Sequence, residues 1–149
     1  NKHDIHSILK AIPVREDAKN TVKYLKEKGY KICMITGSFD IYAEMVGEEL
    51  GITEYYAISK LIWDENENLI DVETVADDKK AKVELFYQFC QKYNLEPKDC
   101  VPVGDSSNDI NLFKITGNGI AIRTEFEAKE LESVAWKTVE ELGDIKNLL

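Results

Sequence analysis

Residues 32–40 run Ile32-Cys33-Met34-Ile35-Thr36-Gly37-Ser38-Phe39-Asp40, an apolar segment that opens into polar residues. Four consecutive apolar residues without alternation, Ile32 to Ile35, suit a parallel strand over 30–35 buried on both faces. The run then opens into a hydroxyl and a glycine. Residues 39–50 follow with Tyr42, Met45, Val46 and Leu50 on one side at helical spacing, and Gly51 is placed to close that helix. Strand, polar turn and helix come in that order, which is the start of a βαβ pattern.

The pattern extends in both directions. Upstream, Ala18, Val22 and Leu25 mark the apolar face of a helix over 15–28, ended by Gly29. Downstream, residues 56–63 and 69–75 read as two strands joined by the acidic turn Asp64-Glu65-Asn66-Glu67-Asn68, a hairpin expected to project from the sheet. A long helix over 78–93 carries Ala81, Leu85, Phe86, Phe89, Cys90 and Tyr93 for burial. A strand over 100–103 delivers Gly104-Asp105, and a helix over 109–115 stops at Gly117. A strand over 119–122, a helix around 125–132, a strand over 135–139 and a last helix from 139 onward complete the expected order. The fold class is therefore α/β: a Rossmann-like open parallel sheet flanked by helices, with a β-hairpin insertion. Ligands of such sheets bind at the carboxyl ends of the strands.

Composition narrows the function. With 149 residues and 44% hydrophobic content, one globular core is expected. The formal charge of −9 and pI near 4.8 leave no basic stripe for a phosphate backbone, which argues against a nucleic-acid partner. An acidic surface also repels free phosphate esters, so any phosphate site must succeed locally through a metal, a lysine or helix N-termini. Cys33, Cys90 and Cys100 are odd in number and lack Cys-x-x-Cys spacing, which suits a reducing, cytoplasmic setting. No apolar run nears the ~20 residues that span a bilayer, so no membrane partner is expected.

Two loops at strand ends carry the conspicuous polar groups. Thr36-Gly37 offers a hydroxyl and backbone N–H donors to an anion, although the same pair serves equally as an ordinary βα turn. Gly104-Asp105-Ser106-Ser107-Asn108-Asp109 holds two carboxylates that can present hard oxygen ligands to Mg²⁺; helix capping by Asp109 is the alternative. Lys79, Lys80 and Lys82 crowd the start of the long helix, where most lysines are solvated. His3 and His6 lack further ligands nearby and are read as polar helix positions, and Tyr55, Tyr56 and Trp63 as hairpin packing.

In combination these segments resemble the haloacid dehalogenase superfamily of phosphatases, in its phosphoserine phosphatase-like branch. Residues 32–40 resemble the second motif, a strand ending in Ser or Thr followed by Gly. Residues 104–109 resemble the fourth motif, usually Gly-Asp-Gly-Ala-Asn-Asp in that branch. Lys82 lies 23 residues before Asp105, similar to the spacing of the third-motif lysine, with Lys80 a substitute. The likeness runs from about Ile8 through Leu149. It implies that Thr36 and Gly37 hold phosphoryl oxygens, that Lys82 neutralises phosphoryl charge and holds the nucleophile, and that Asn108 adds a phosphate or nucleophile contact. It further implies Asp105 as the Mg²⁺ ligand, with Asp109 organising the metal's shell and serving the metal site and the catalysis.

Two departures accompany the resemblance. Gly37-Ser38 stands where the family often has Gly-Gly, which bears on substrate fit. More importantly, residues 1–149 hold no apolar strand ending in Asp-x-Asp-x-Thr, the first motif, whose first Asp becomes the aspartyl-phosphate and whose second is the general acid and base. Asp77-Asp78 is adjacent rather than alternating and is no replacement. In the family that strand lies mid-sheet and is followed by a helical cap. Residues 1–11 resemble the end of the cap and 12–149 the core without its first strand.

The expectation is a Mg²⁺-dependent phosphomonoesterase acting on a small phosphorylated metabolite. Its nucleophile would lie upstream, on a removed or separate N-terminal segment, and residues 1–149 alone would be inactive. The alternative is a non-catalytic phosphate- and metal-binding regulatory domain of the same fold.

Overall fold

The computed structural model describes residues 1–126 and 128–149, which group into two compact units, 1–76 and 77–149. In the first unit, α1 (Lys2–Lys10) is capped by Asn1, whose side chain accepts a hydrogen bond from the Asp4 N–H at 3.0 Å. His3 and His6 are exposed on it. Helix α2 (Ala18–Glu27) buries Ala18, Thr21 and Val22, and the Thr21 hydroxyl is satisfied by donating to the Asp17 carbonyl at 2.8 Å.

Strand β1 (Cys33–Phe39) corrects the expected boundary: it starts later and continues through Thr36-Gly37-Ser38 instead of stopping before them. Its parallel pairing with β2 (Glu54–Trp63) runs in step from Cys33↔Glu54 to Thr36↔Ala57, then resumes at Phe39↔Ser59. One extra residue is therefore accommodated on β1 at Gly37-Ser38, a bulge that re-aims the chain where the polar turn was expected. Cys33, Met34 and Ile35 are half-buried rather than fully buried, because β1 is the terminal strand of the order β1-β2-β3.

Helix α3 (Asp40–Leu50) packs on β1, β2, α1 and α2. Contact on several sides makes Ile41, Ala43 and Gly47 its most buried residues, and the expected Tyr42, Met45, Val46 and Leu50 are half-buried. Gly47 permits a close approach: a Cβ there would lie 2.9 Å from the Ile52 carbonyl oxygen and 3.0 Å from the Tyr55 ring. Gly51 closes the helix at φ 68°, the left-handed cap conformation.

The far half of β2 pairs antiparallel with β3 (Leu69–Glu73) to make the hairpin. One carboxylate organises its turn: Asp64 accepts from the Asn66 and Asn68 N–H groups at 2.9 and 2.8 Å and from the Asn68 side-chain amide at 3.1 Å. These donors hold the Asp64 pKa below its ordinary value, the Asn68 backbone contributing most.

The second unit opens with α4 (Asp78–Tyr93), capped by Asp77, whose side chain accepts from the Lys80 N–H at 3.0 Å. It buries Phe86, Phe89 and Cys90, and also Lys82. Strand β4 (Val103–Gly104) begins three residues later than expected, because the Cys100 N–H donates to the Pro97 carbonyl and Pro102 has no N–H to offer a ladder. A 3-10 turn, Ser107–Asp109, leads into α5 (Ile110–Thr116), which Gly117 ends at φ 71°.

Strands β5 (Ile120–Ile122) and β6 (Lys137–Val139) add parallel neighbours in the order β4-β5-β6. Helix α6 (Lys129–Val134) lies between them in the chain and starts later than the expected 125–132, because the Thr124 hydroxyl holds the Phe126 N–H in a turn at 3.2 Å. Glu127, within that expected helix, lies outside the described residues. The expected last helix is also corrected: Val139 pairs with Ile122 in the sheet, and only a 3-10 helix, Leu142–Asn147, follows.

The core of this unit is Phe113, Ala121 and Leu131, flanked by Ile110, Ala128, Val134 and Ala135. Phe113 is fully buried, worth about 2–3 kcal/mol of transfer free energy. Parallel βαβ units flanked by helices are thus present, as the periodicity indicated.

Candidate active site

The second unit gathers the strongest constellation. Helix α4 packs against the Ser107–Asp109 turn and α5. This packing carries Lys82 inward, where its ammonium donates to Asp109 Oδ1 at 2.7 Å, and both side chains are buried. A buried lysine beside an apolar helix face is costly unless its charge is matched, and Asp109 supplies the match. The other lysines of the cluster stay out: Lys79 and Lys80 are exposed, and Lys80 pairs loosely with Glu84 at 3.9 Å.

Gly104, at the end of β4, is required by this pair. A Cβ on residue 104 would run into the Asp109 carboxylate, so only glycine lets that side chain lie against the strand end. Asp105 is the next residue and points the other way in character. It is exposed, and its carboxylate has no hydrogen bond or ion pair among the described residues. Asn108 is half-buried on the 3-10 turn between the two carboxylates.

The first unit holds the other candidates. The Ser38 N–H donates to Thr36 Oγ1 at 3.0 Å, folding the bulge into a tight hydroxyl-centred turn with Gly37 exposed at its tip. Ser59 on β2 supports that turn by donating to the Gly37 carbonyl at 3.3 Å. Asp40 anchors the following helix: its Oδ1 accepts from the Ile41 N–H at 2.9 Å and the Leu61 N–H at 3.2 Å. The structure thus brings Lys82, Asp109 and Gly104 together in the second unit, with Asp105 and Asn108 adjacent in the loop, and places Thr36 and Gly37 on one turn of the first.

Sequence reasoning missed Asp40 and Ser59 as supports. Asp40 carried a local signal, an acid in a helix's first turn. Ser59 carried none, because its partner is 22 residues away.

A family model for haloacid dehalogenase-like hydrolases matches residues 2–114. The chain belongs to that family. Among this family's curated members, it is 33% identical over 117 residues to a phosphoserine phosphatase of Methanocaldococcus jannaschii, covering 78% of this chain and 55% of that protein. It is 32% identical over 128 residues to a phosphoserine phosphatase of Archaeoglobus fulgidus, covering 85% of this chain and 36% of that protein. The chain therefore spans about half or less of the length of these relatives. A solved phosphoserine phosphatase carrying an analogue of its phospho-aspartyl intermediate superposes with a TM-score of 0.83 at 29% identity, covering 99% of this chain and 69% of that one.

Asp105 is an exposed carboxylate without a competing partner among the described residues, and Mg²⁺ sites commonly use one or two protein carboxylates, with waters and substrate phosphate completing the shell. No group of three or more His, Cys, Asp or Glu that could hold a metal ion occurs among the described residues, so Asp105 would need waters and substrate oxygens to complete a shell. No helix among the described residues is long and apolar enough to cross a membrane.

Proposed function

We propose that the intact protein is a Mg²⁺-dependent phosphomonoesterase that works through an aspartyl-phosphate, with phosphoserine as the leading substrate. The observation that carries this reading is the buried Lys82–Asp109 pair at 2.7 Å beside Gly104-Asp105. A preformed, desolvated ammonium has little use on a surface helix and considerable use where negative charge develops on a phosphoryl group. The chain's relatives, among them two phosphoserine phosphatases, support the choice of ester.

In this reading Lys82 neutralises phosphoryl charge and steadies the nucleophilic carboxylate, while Asp109 holds Lys82 in place. The Thr36 hydroxyl and Gly37 N–H bind phosphoryl oxygens, and Asn108 adds a hydrogen bond. Asp105, with Asp109 near it, would hold Mg²⁺, which when bound supplies positive charge to the phosphoryl oxygens. The nucleophilic Asp and the general acid come from outside residues 1–149, since no Asp-x-Asp occurs within them. The small phosphorylated metabolite is the partner; a net charge of −9 disfavours a nucleic acid in that role.

The test is phosphate release from phosphoserine and from an aryl phosphate, with Mg²⁺, by the intact protein and by residues 1–149. Turnover by the intact protein alone is the expected result. Equal turnover by residues 1–149 sinks the assignment of the nucleophile. If the intact protein binds inorganic phosphate and Mg²⁺ but releases none from any ester, the non-catalytic binding domain is the correct reading.

A further inference from the structure

Cys90 and Cys100 meet in a part of the second unit that the phosphatase reading does not use. Cys90 is buried near the end of α4, and Cys100 is half-buried just after the 3-10 turn Pro97–Asp99. Their sulfur atoms are 3.8 Å apart, and Cys100 Sγ also lies 3.7 Å from the Glu96 carbonyl oxygen. The intervening chain is tied down: the Leu95 N–H donates to the Cys90 carbonyl at 2.9 Å, and the Asn118 side chain donates to the Lys98 carbonyl at 2.7 Å. The two thiols are thus held facing each other by the fold.

We propose that Cys90 and Cys100 are a modification site, a dithiol that closes to a reversible disulfide when the protein meets a small-molecule disulfide such as oxidised glutathione. A covalent bridge needs the sulfurs to approach by about 2 Å, within the range of side-chain rotation with a small yield of the Pro97–Asp99 turn. Cys100, the more exposed of the two, gives up its proton and attacks one sulfur of the small disulfide, expelling one thiol. Cys90, deprotonated in turn, attacks Cys100 Sγ and expels the second. The two protein thiols lose two protons and two electrons, and the small disulfide gains both as two thiols.

Burial, with Cys90 and Asp99 alongside, pushes the Cys100 thiol up to about 12. The pair is therefore slow to react at neutral pH and stays reduced in a reducing compartment, closing only under sustained oxidant. Closure ties the end of α4, the helix that carries Lys82, to the segment three residues ahead of β4 and its Gly104-Asp105 loop.

The experiment treats the intact protein with oxidised glutathione at about pH 8.5, then alkylates and maps the peptides. The expected product is a Cys90–Cys100 cross-linked peptide, reversed by dithiothreitol, with Tm raised by about 5 °C over the reduced form. Cys33→Ser should still form it, and Cys90→Ala should instead trap glutathione on Cys100. Both thiols remaining open to alkylation under denaturing conditions overturns the proposal, as does a bridge that uses Cys33.

Discussion

The ammonium of Lys82 on α4 lies 2.7 Å from Asp109 Oδ1 at the end of the Ser107–Asp109 turn, with side chains only 10% and 11% exposed. Each charge is tolerated in the interior because of the other. Removing one partner should cost more than removing both. Lys82→Met should lower unfolding free energy by about 3–5 kcal/mol, and the double variant Lys82→Met/Asp109→Leu should be destabilised less than the sum of the singles by at least about 1 kcal/mol. Urea denaturation of the four proteins of this cycle measures both quantities.

Gly104→Ala tests the close approach of Asp109 to β4. The added methyl meets the carboxylate, and Asp109 must move or the strand must shift. A loss of about 1–3 kcal/mol in stability is expected, together with a fall of at least tenfold in phosphoserine turnover. Wild-type stability in this variant would mean that the loop absorbs a side chain freely.

Asp105→Asn separates function from folding. Because the carboxylate is exposed and has no partner among the described residues, stability should stay within about 0.5 kcal/mol of the parent. Turnover by the intact protein should fall by about a hundredfold or more, with the Mg²⁺ concentration for half-maximal activity raised, and a chelator should abolish activity in the parent. Steady-state kinetics across a Mg²⁺ series decides between these outcomes and none.

The hairpin turn should be acid-sensitive. The Asn68 and Asn66 donors hold the Asp64 carboxyl below its ordinary value in the fold, so its charged form contributes stability that is present above that ordinary value and is lost as pH falls through the lowered one. Amide hydrogen exchange at Asn66 and Asn68 should therefore accelerate, relative to unstructured amides at the same pH, as the carboxylate is protonated. Asp64→Asn should show weaker protection at neutral pH and no such acid transition.

Much of the architecture was legible because burial imposes a period on the chain. The helix over 78–93 and the hairpin around Asp64 come out as read, since helix caps and turn donors act over a few residues. Boundaries that depend on distant partners were not legible. The bulge at Gly37-Ser38 exists because β1 runs alongside β2, and the 3-10 ending after Val139 exists because Val139 is held by Ile122. Choosing among Lys79, Lys80 and Lys82 was likewise beyond spacing alone. Helix phase relative to α5 and the Ser107–Asp109 turn directs residue 82 inward and leaves residues 79 and 80 in solvent.

The alternation of strands and helices, the positions of the two polar loops and the family to which they point are all legible in residues 1–149, because these follow from local periodicity and short motifs. Packing in three dimensions is what makes a lysine and an aspartate 27 residues apart one buried pair, and what requires residue 104 to lack a side chain. The reason is physical: desolvating a charge is tolerable only at a particular distance from its counter-charge, and that distance is set by how helices pack, which no local stretch of residues encodes.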